Sequence, residues 1–147
     1  MNQLKIDYEQ KYKAILESSY VDPLGDVSYP PLAISYGYSS GYNPLPTGIA
    51  SYGNFSFVQA PPKSKKTFFL SLIASAYIGG NTERTADMIG HRKGRKLIHY
   101  DTEQSKFHAQ RVFRRVNDIC GTAEDYYTYA LRQYSAPERL DFIDWHL

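Results

Sequence analysis

Two short blocks carry residue types suited to phosphate chemistry. The first is KSKKT, Lys63 to Thr67, which sets three ammonium groups and two hydroxyls directly before the apolar run FFLSLIASAYI. Holding a phosphate at such a place needs main-chain N–H groups turned inward, the partial positive charge of a helix start, and a cation within reach. Laid on the pattern GxxxxGK followed by Ser or Thr, the stretch APPKSKKT puts Ala60 and Lys65 in the glycine places and Lys66 and Thr67 in the last two. Pro61 and Pro62 have no N–H to offer. The expected donors are therefore the amides of Ser64, Lys65, Lys66, Thr67 and Phe68, with Lys63 alongside. A positive φ at Lys65, which has a side chain where glycine is usual, would carry strain. The plain alternative is a solvated basic bend.

The second block is DTEQS, Asp101 to Ser105, which closes the apolar run KLIHYD. Ligands of open parallel sheets bind at the carboxyl ends of strands, so a shared sheet would bring both blocks to one rim. Glu103 could there orient or deprotonate an attacking water, while Asp101 positions the loop or a metal-bound water. Polar residues where a strand surfaces are the plain alternative.

The elements needed to position these blocks can be read from periodicity. Residues 3–18 repeat Leu4, Tyr8, Tyr12, Ile15 and Leu16 at helical spacing. From Val21 to Gly53 prolines and glycines favour turns and short strands, LAISYGY (Leu32 to Tyr38) being the best strand candidate. The tyrosines here are expected to cover a small hairpin, with base stacking as the alternative. NFSFVQ (Asn54 to Gln59) reads as a strand entering the lysine-rich turn. The helix after it is expected to use Phe68, Phe69, Leu72, Ile73, Ala76 and Tyr77 as its broad apolar face. Residues 81–96 read as an exposed connection with one helical turn near Met88.

KLIHYD (Lys96 to Asp101) then reads as a strand of the continuous, buried kind, and Ala109, Val112, Phe113, Val116, Ile119 and Cys120 as a helical stripe, with Gly121 suited to end the helix. Tyr126 to Arg132 is a further strand. The last helix starts with Ser135 as N-cap, Pro137 in its first turn and Glu138 at the third position. Alternation of strand and helix from Asn54 onward predicts an α/β fold with βαβ units and a mainly parallel sheet.

The 147 residues suffice for one domain, divided by this reading into a lead-in (1–53) and a core (54–147). Charge is uneven: Pro61 to Cys120 holds 12 Lys and Arg against 5 Asp and Glu, whereas the whole chain carries only +2. An acidic partner is expected to meet this middle stretch. HRKGRK, with Arg92, Lys93, Arg95 and Lys96, is a candidate nucleic-acid contact, as are Lys106, Arg111, Arg114 and Arg115; a solvated charged face is the alternative. The single cysteine, Cys120, forms no internal disulfide and reads as a buried thiol. The histidines are scattered, which argues against zinc. No basic stretch followed by an apolar run is found in the opening residues, so no signal peptide is expected, and the longest weakly polar run, Thr67 to Gly80, is short of the ~20 residues a membrane helix needs. A cytoplasmic protein is expected.

Taken together, GNFSFVQAPPKSKKTFFLSLIASA and KLIHYDTEQSKFHAQRVFRRV resemble RecA-like P-loop ATPases of the AAA type, specifically a helicase-like branch carried by phages and mobile elements. That branch commonly spells its loop G-x-A-K-S-K/R-K-T, so lysine in the second glycine place is a habit of the branch; Ala60 and Pro62 depart from the pattern. The resemblance covers roughly residues 30–147. It implies a RecA-like P-loop core binding ATP and Mg²⁺, with Lys66 on the β and γ phosphates and Thr67, and through water Asp101, on the metal. It makes Glu103 the catalytic carboxylate, and it implies work on DNA in replication or recombination, the full-length protein forming a ring or filament. The family's second acidic strand, apolar residues ending in Asp, has one candidate, LDFID at Asp144, whose period is helical; in the family it lies further on. The chain is thus expected to be the N-terminal part of a longer ATPase, incomplete at its C-terminus. A non-hydrolysing nucleic-acid- or partner-binding module is the alternative, and a small-molecule kinase a third.

Overall fold

A computed structural model describes residues 2–37, 46–79, 83–122 and 124–147, with side chains from residue 7 onward. Gly80, the first two residues of the expected connection (81 and 82) and the end of LAISYGY at Tyr38 lie outside the described residues. The chain is α/β.

The first helix, α1 (Asn2–Ser19), forms where the periodicity places it. Its apolar stripe is nevertheless uncovered: every described side chain from Asp7 to Pro31 is exposed, Tyr8, Tyr12, Ile15 and Leu16 included.

Strands β1 (Leu32–Tyr36), β2 (Thr47–Ser51) and β3 (Met88–Gly90) make a three-stranded sheet in the order β2-β1-β3, antiparallel at both junctions. This corrects the expectation of a mainly parallel sheet, because the larger sheet is antiparallel. Met88 is also corrected: it is a strand residue, nearly fully buried, and the helical turn sits just before it as a 3₁₀ turn at Glu83–Thr85. The sheet draws on residues either side of position 53, and Ile34 joins Ala76, Tyr77, Ile78 and Met88 in one core cluster.

Helix α2 (Lys66–Gly79) lies between this sheet and helix α3 (Lys106–Cys120). One face, Ser71, Ala74, Ser75 and Ile78, recurs at i, i+3, i+4, i+7 and is buried. Small side chains there permit close approach to α3: the Ser75 hydroxyl donates to the Ser71 carbonyl (2.7 Å) and toward the Val116 carbonyl (3.4 Å). At the other end Gly79 sits against Cys120, where an added Cβ would stand 2.6 Å from the Cys120 Cβ. Toward the sheet, Gly90 is tighter still, since a Cβ would lie 2.1 Å from the Ala76 carbonyl oxygen. The expected face is corrected at its start: Phe68 and Phe69 are exposed, because only the later turns of α2 are covered by the sheet.

Strands β4 (Leu97–Asp101) and β5 (Tyr126–Ala130) pair in parallel, Leu97 opposite Tyr126 and Asp101 opposite Ala130, with α3 as their connection. Period-2 alternation sends His99 and Tyr126 toward Phe113 of α3, with ring centres 5.0 and 6.3 Å away. Tyr100 and Tyr129 point to the opposite face and meet helix α4 (Ala136–His146). There both nitrogens of His146 are bound by hydroxyls, Tyr100 at 2.6 Å and Tyr129 at 3.2 Å.

The helix ends follow local chemistry. Gly121 is left-handed (φ 75°) and its N–H donates to the Asn117 carbonyl. The Glu138 carboxylate accepts from the Ser135 N–H (2.8 Å) and hydroxyl (2.6 Å), and these bonds lower its pKa. LDFID is part of α4 and helical, as its period requires. Cys120 is half-buried, its thiol donating to the Thr122 carbonyl.

Asn54 to Gln59 is not a strand, contrary to its alternation. A strand exists only through a neighbour's hydrogen bonds, and this segment pairs with none of the described strands. Its aromatic residues face solvent, Phe55 at 84% and Phe57 at 89% exposure.

Candidate phosphate-binding loop

After Pro62 the backbone takes an unusual course. Lys63 (φ 66°) and Lys65 (φ 63°) are both left-handed, with Ser64 between them. Each costs a side-chain-bearing residue roughly 1–2 kcal/mol, so local propensity does not account for the bend. Alternation of left-handed with ordinary residues turns successive N–H groups toward one concave side.

The fate of each amide can be followed. The Ser64 N–H donates to the Pro61 carbonyl (3.3 Å), closing a turn, and the Phe68 N–H to the Lys65 carbonyl (2.9 Å), starting α2. These two expected donors are therefore directed inward to the chain. The N–H groups of Lys65, Lys66 and Thr67 have no acceptor among the described residues. Three adjacent donors thus stand unpaired at the start of a 14-residue helix.

Side chains add charge to this end. Lys63, Ser64 and Lys65 are exposed, whereas Lys66 and Thr67 are half-buried. An open cavity of about 420 Å³ is lined by Lys65, Thr67, Phe68 and Arg115, whose guanidinium carbon lies 5.4 Å from the Phe68 ring centre. Sequence reasoning placed Arg115 on the polar face of α3 but not beside this loop. The available signal was its position next to Val116, which packs on α2.

Asp101 lies nearly fully buried at the end of β4, and its carboxylate is occupied by its own loop. It accepts from the Glu103 N–H (3.0 Å), the Gln104 N–H (2.8 Å) and the Gln104 side-chain amide (3.0 Å). Such a carboxylate holds DTEQS in shape and has little capacity left to bind a metal directly. Glu103 is exposed, and its carboxylate has no protein partner among the described residues. The Thr67 hydroxyl is likewise unpartnered there. Mg²⁺ takes few protein ligands and most of its octahedron from phosphate and water, so one hydroxyl at this place fits it. Among the described residues no three or more His, Cys, Asp or Glu gather into a metal-holding group.

The HRKGRK segment is used internally. Arg92 pairs with Asp125 at 2.6 Å, Arg95 stacks 4.3 Å over the Tyr52 ring, and Lys96 lies 5.2 Å over Tyr127. Lys93 (φ 49°) and Gly94 (φ 78°) form the tip of the turn, closed by the Arg95 N–H on the Arg92 carbonyl. The segment thus braces β2 and β5, and only Lys93 among its cations is exposed without a protein partner. No helix is long and apolar enough to cross a membrane among the described residues. Comparisons with family models, with curated proteins and with solved structures each returned no match.

Proposed function

We propose that this chain is a nucleotide-binding domain of the RecA-like P-loop kind, taking ATP with Mg²⁺ at Lys63 to Phe68. The observation that carries the reading is the pair of left-handed lysines, Lys63 and Lys65, directly before α2, which adds the free Lys65 amide to the open first-turn amides of Lys66 and Thr67. Strain of this kind clusters at ligand-binding sites, although the turns at Ala86, Asp87, Lys93 and Asp125 carry it as well. In this reading Lys66 neutralises the β and γ phosphates, Thr67 contacts the metal and Asp101 shapes its own DTEQS loop; the resemblance, rather than a shared sheet rim, gives Glu103 the role of orienting water, because the segment before the lysine turn pairs with no described strand. The role extends to DNA replication or recombination in a phage or mobile element, with a cytoplasmic protein that assembles as a ring or filament; the resemblance of KSKKT and DTEQS supports it.

A second reading has an observation of its own. LDFID is helical and Asp101 is engaged by its own turn, so neither of the two aspartates considered for the water shell of Mg²⁺ is free to hold it. That favours a module that binds nucleotide, nucleic acid or a partner without hydrolysis.

Thermal melting with Mg·ATP separates these cases. At a hundredfold excess over Kd, binding adds about 2.7 kcal/mol, or roughly 5–10 °C for a domain of this size. Lys66→Ala should abolish that shift. No shift in the parent protein, or an equal one in the variant, removes the ATP assignment. A shift without phosphate release supports the non-hydrolysing reading.

A further inference from the structure

A second cavity, of about 870 Å³, lies at the carboxyl end of β5, where the chain turns into α4, and it shares no lining residue with the lysine loop. Its size is that of pockets that enclose small organic ligands. Tyr129, Tyr134 and Phe142 supply flat apolar surface. The charged lining divides into two groups. Glu138 is held by Ser135, and Arg139 donates to the carbonyls of Leu131 (3.0 Å) and Arg132 (2.8 Å). Lys106 and Arg132 are exposed and have no protein partner for their side chains among the described residues. The one carboxylate is therefore committed while two cations are available, so the cavity suits an anion. Aromatic walls beside those cations suit an anion that carries a flat ring.

We infer that this cavity binds a nucleoside phosphate, its ring against Tyr134 and Phe142 and its phosphate at Lys106 and Arg132. This site is separate from the one proposed at Lys63 to Phe68. The same chemistry is offered by a free nucleotide and by the end of a single strand.

The test uses the whole chain carrying Lys66→Ala, so that the lysine loop does not contribute. Adenosine monophosphate, unphosphorylated adenosine and a short oligothymidylate are each titrated while backbone amide shifts are followed. Saturable shifts at Arg132 to Tyr134 are expected with the monophosphate. Arg132→Glu should weaken them about tenfold or more, the loss of a charge-assisted contact. Tyr134→Ala should weaken them too, and both positions are exposed, so melting can verify that the fold is kept. Shifts with the oligonucleotide alone identify a strand end as the ligand and leave the proposal standing. It is overturned if no phosphorylated probe moves these amides, if Arg132→Glu binds as its parent does, or if adenosine binds as well as its monophosphate.

Discussion

Single residues carry most of the account, and the two left-handed lysines are the most direct check on it. Glycine at Lys63 or Lys65 would remove the side-chain penalty at positive φ while losing some unfolded-state order. The net expectation is a gain of roughly 0.5–1 kcal/mol for each, measured by denaturant melting. A loss at both positions would mean that the loop is not left-handed there. His99 gives a second check. Burial lowers its pKa below the ordinary 6.5, with the Asp101 charge opposing. The unfolded chain therefore binds a proton at higher pH than the folded one. Stability from the neutral ring is complete above that value and falls as pH drops through it toward the folded pKa, with a slope of at most about 1.4 kcal/mol per pH unit. His99→Gln should flatten that part of the stability profile; an unchanged slope would assign it elsewhere. By contrast, burial and a hydrogen bond to Tyr52 push the Tyr77 phenol up to about 12, so it stays neutral throughout.

At the scale of elements, α2 is held by two close approaches that admit no side chain. Gly90→Ala would set a methyl 2.1 Å from the Ala76 carbonyl oxygen, a backbone atom that cannot move aside alone. A loss of about 3 kcal/mol or more is expected from thermal melting, because β3 and α2 must separate. Gly94→Ala meets nothing within 4 Å but sits at φ 78°, so only the left-handed penalty, about 1 kcal/mol, should appear. Equal losses would contradict the packing described for Gly90. Element-level legibility was also uneven. The α3 stripe, Gly121, the Ser135 and Glu138 cap and both parallel strands were readable, since each depends on spacing within one segment. Phe55 and Phe57 were not, because alternation marks a strand without saying whether a neighbour pairs with it. Likewise the helical period of α2 could not tell that its first turn, at Phe68 and Phe69, lies beyond the sheet. Strand direction in β1 to β3 has no local signature, so the alternation of strand and helix suggested the wrong sheet.

For the whole molecule, the lysine loop was legible only in part. The lysine loop was visible because charge, hydroxyl and helix start are contiguous in KSKKT. Its amide accounting was not, since only the backbone course shows that Ser64 and Phe68 turn inward while Lys65, Lys66 and Thr67 do not. The basic stretch between Pro61 and Cys120 was equally plain in composition, yet folding redirects part of it: Arg92 and Arg95 are engaged by Asp125 and Tyr52. Charge reversal at Lys93 should therefore alter any nucleic-acid affinity by no more than a surface contact does, about threefold at moderate salt, measured by titration at two salt concentrations. A larger loss would return the turn to the centre of recognition. The most direct measurement is the amide spectrum of the ¹⁵N-labelled chain during titration with Mg·ATP. The account predicts saturable shifts of the Lys65, Lys66 and Thr67 amides that vanish in Lys66→Ala. Those three resonances standing still while ATP binds elsewhere, or moving equally in the variant, would contradict it.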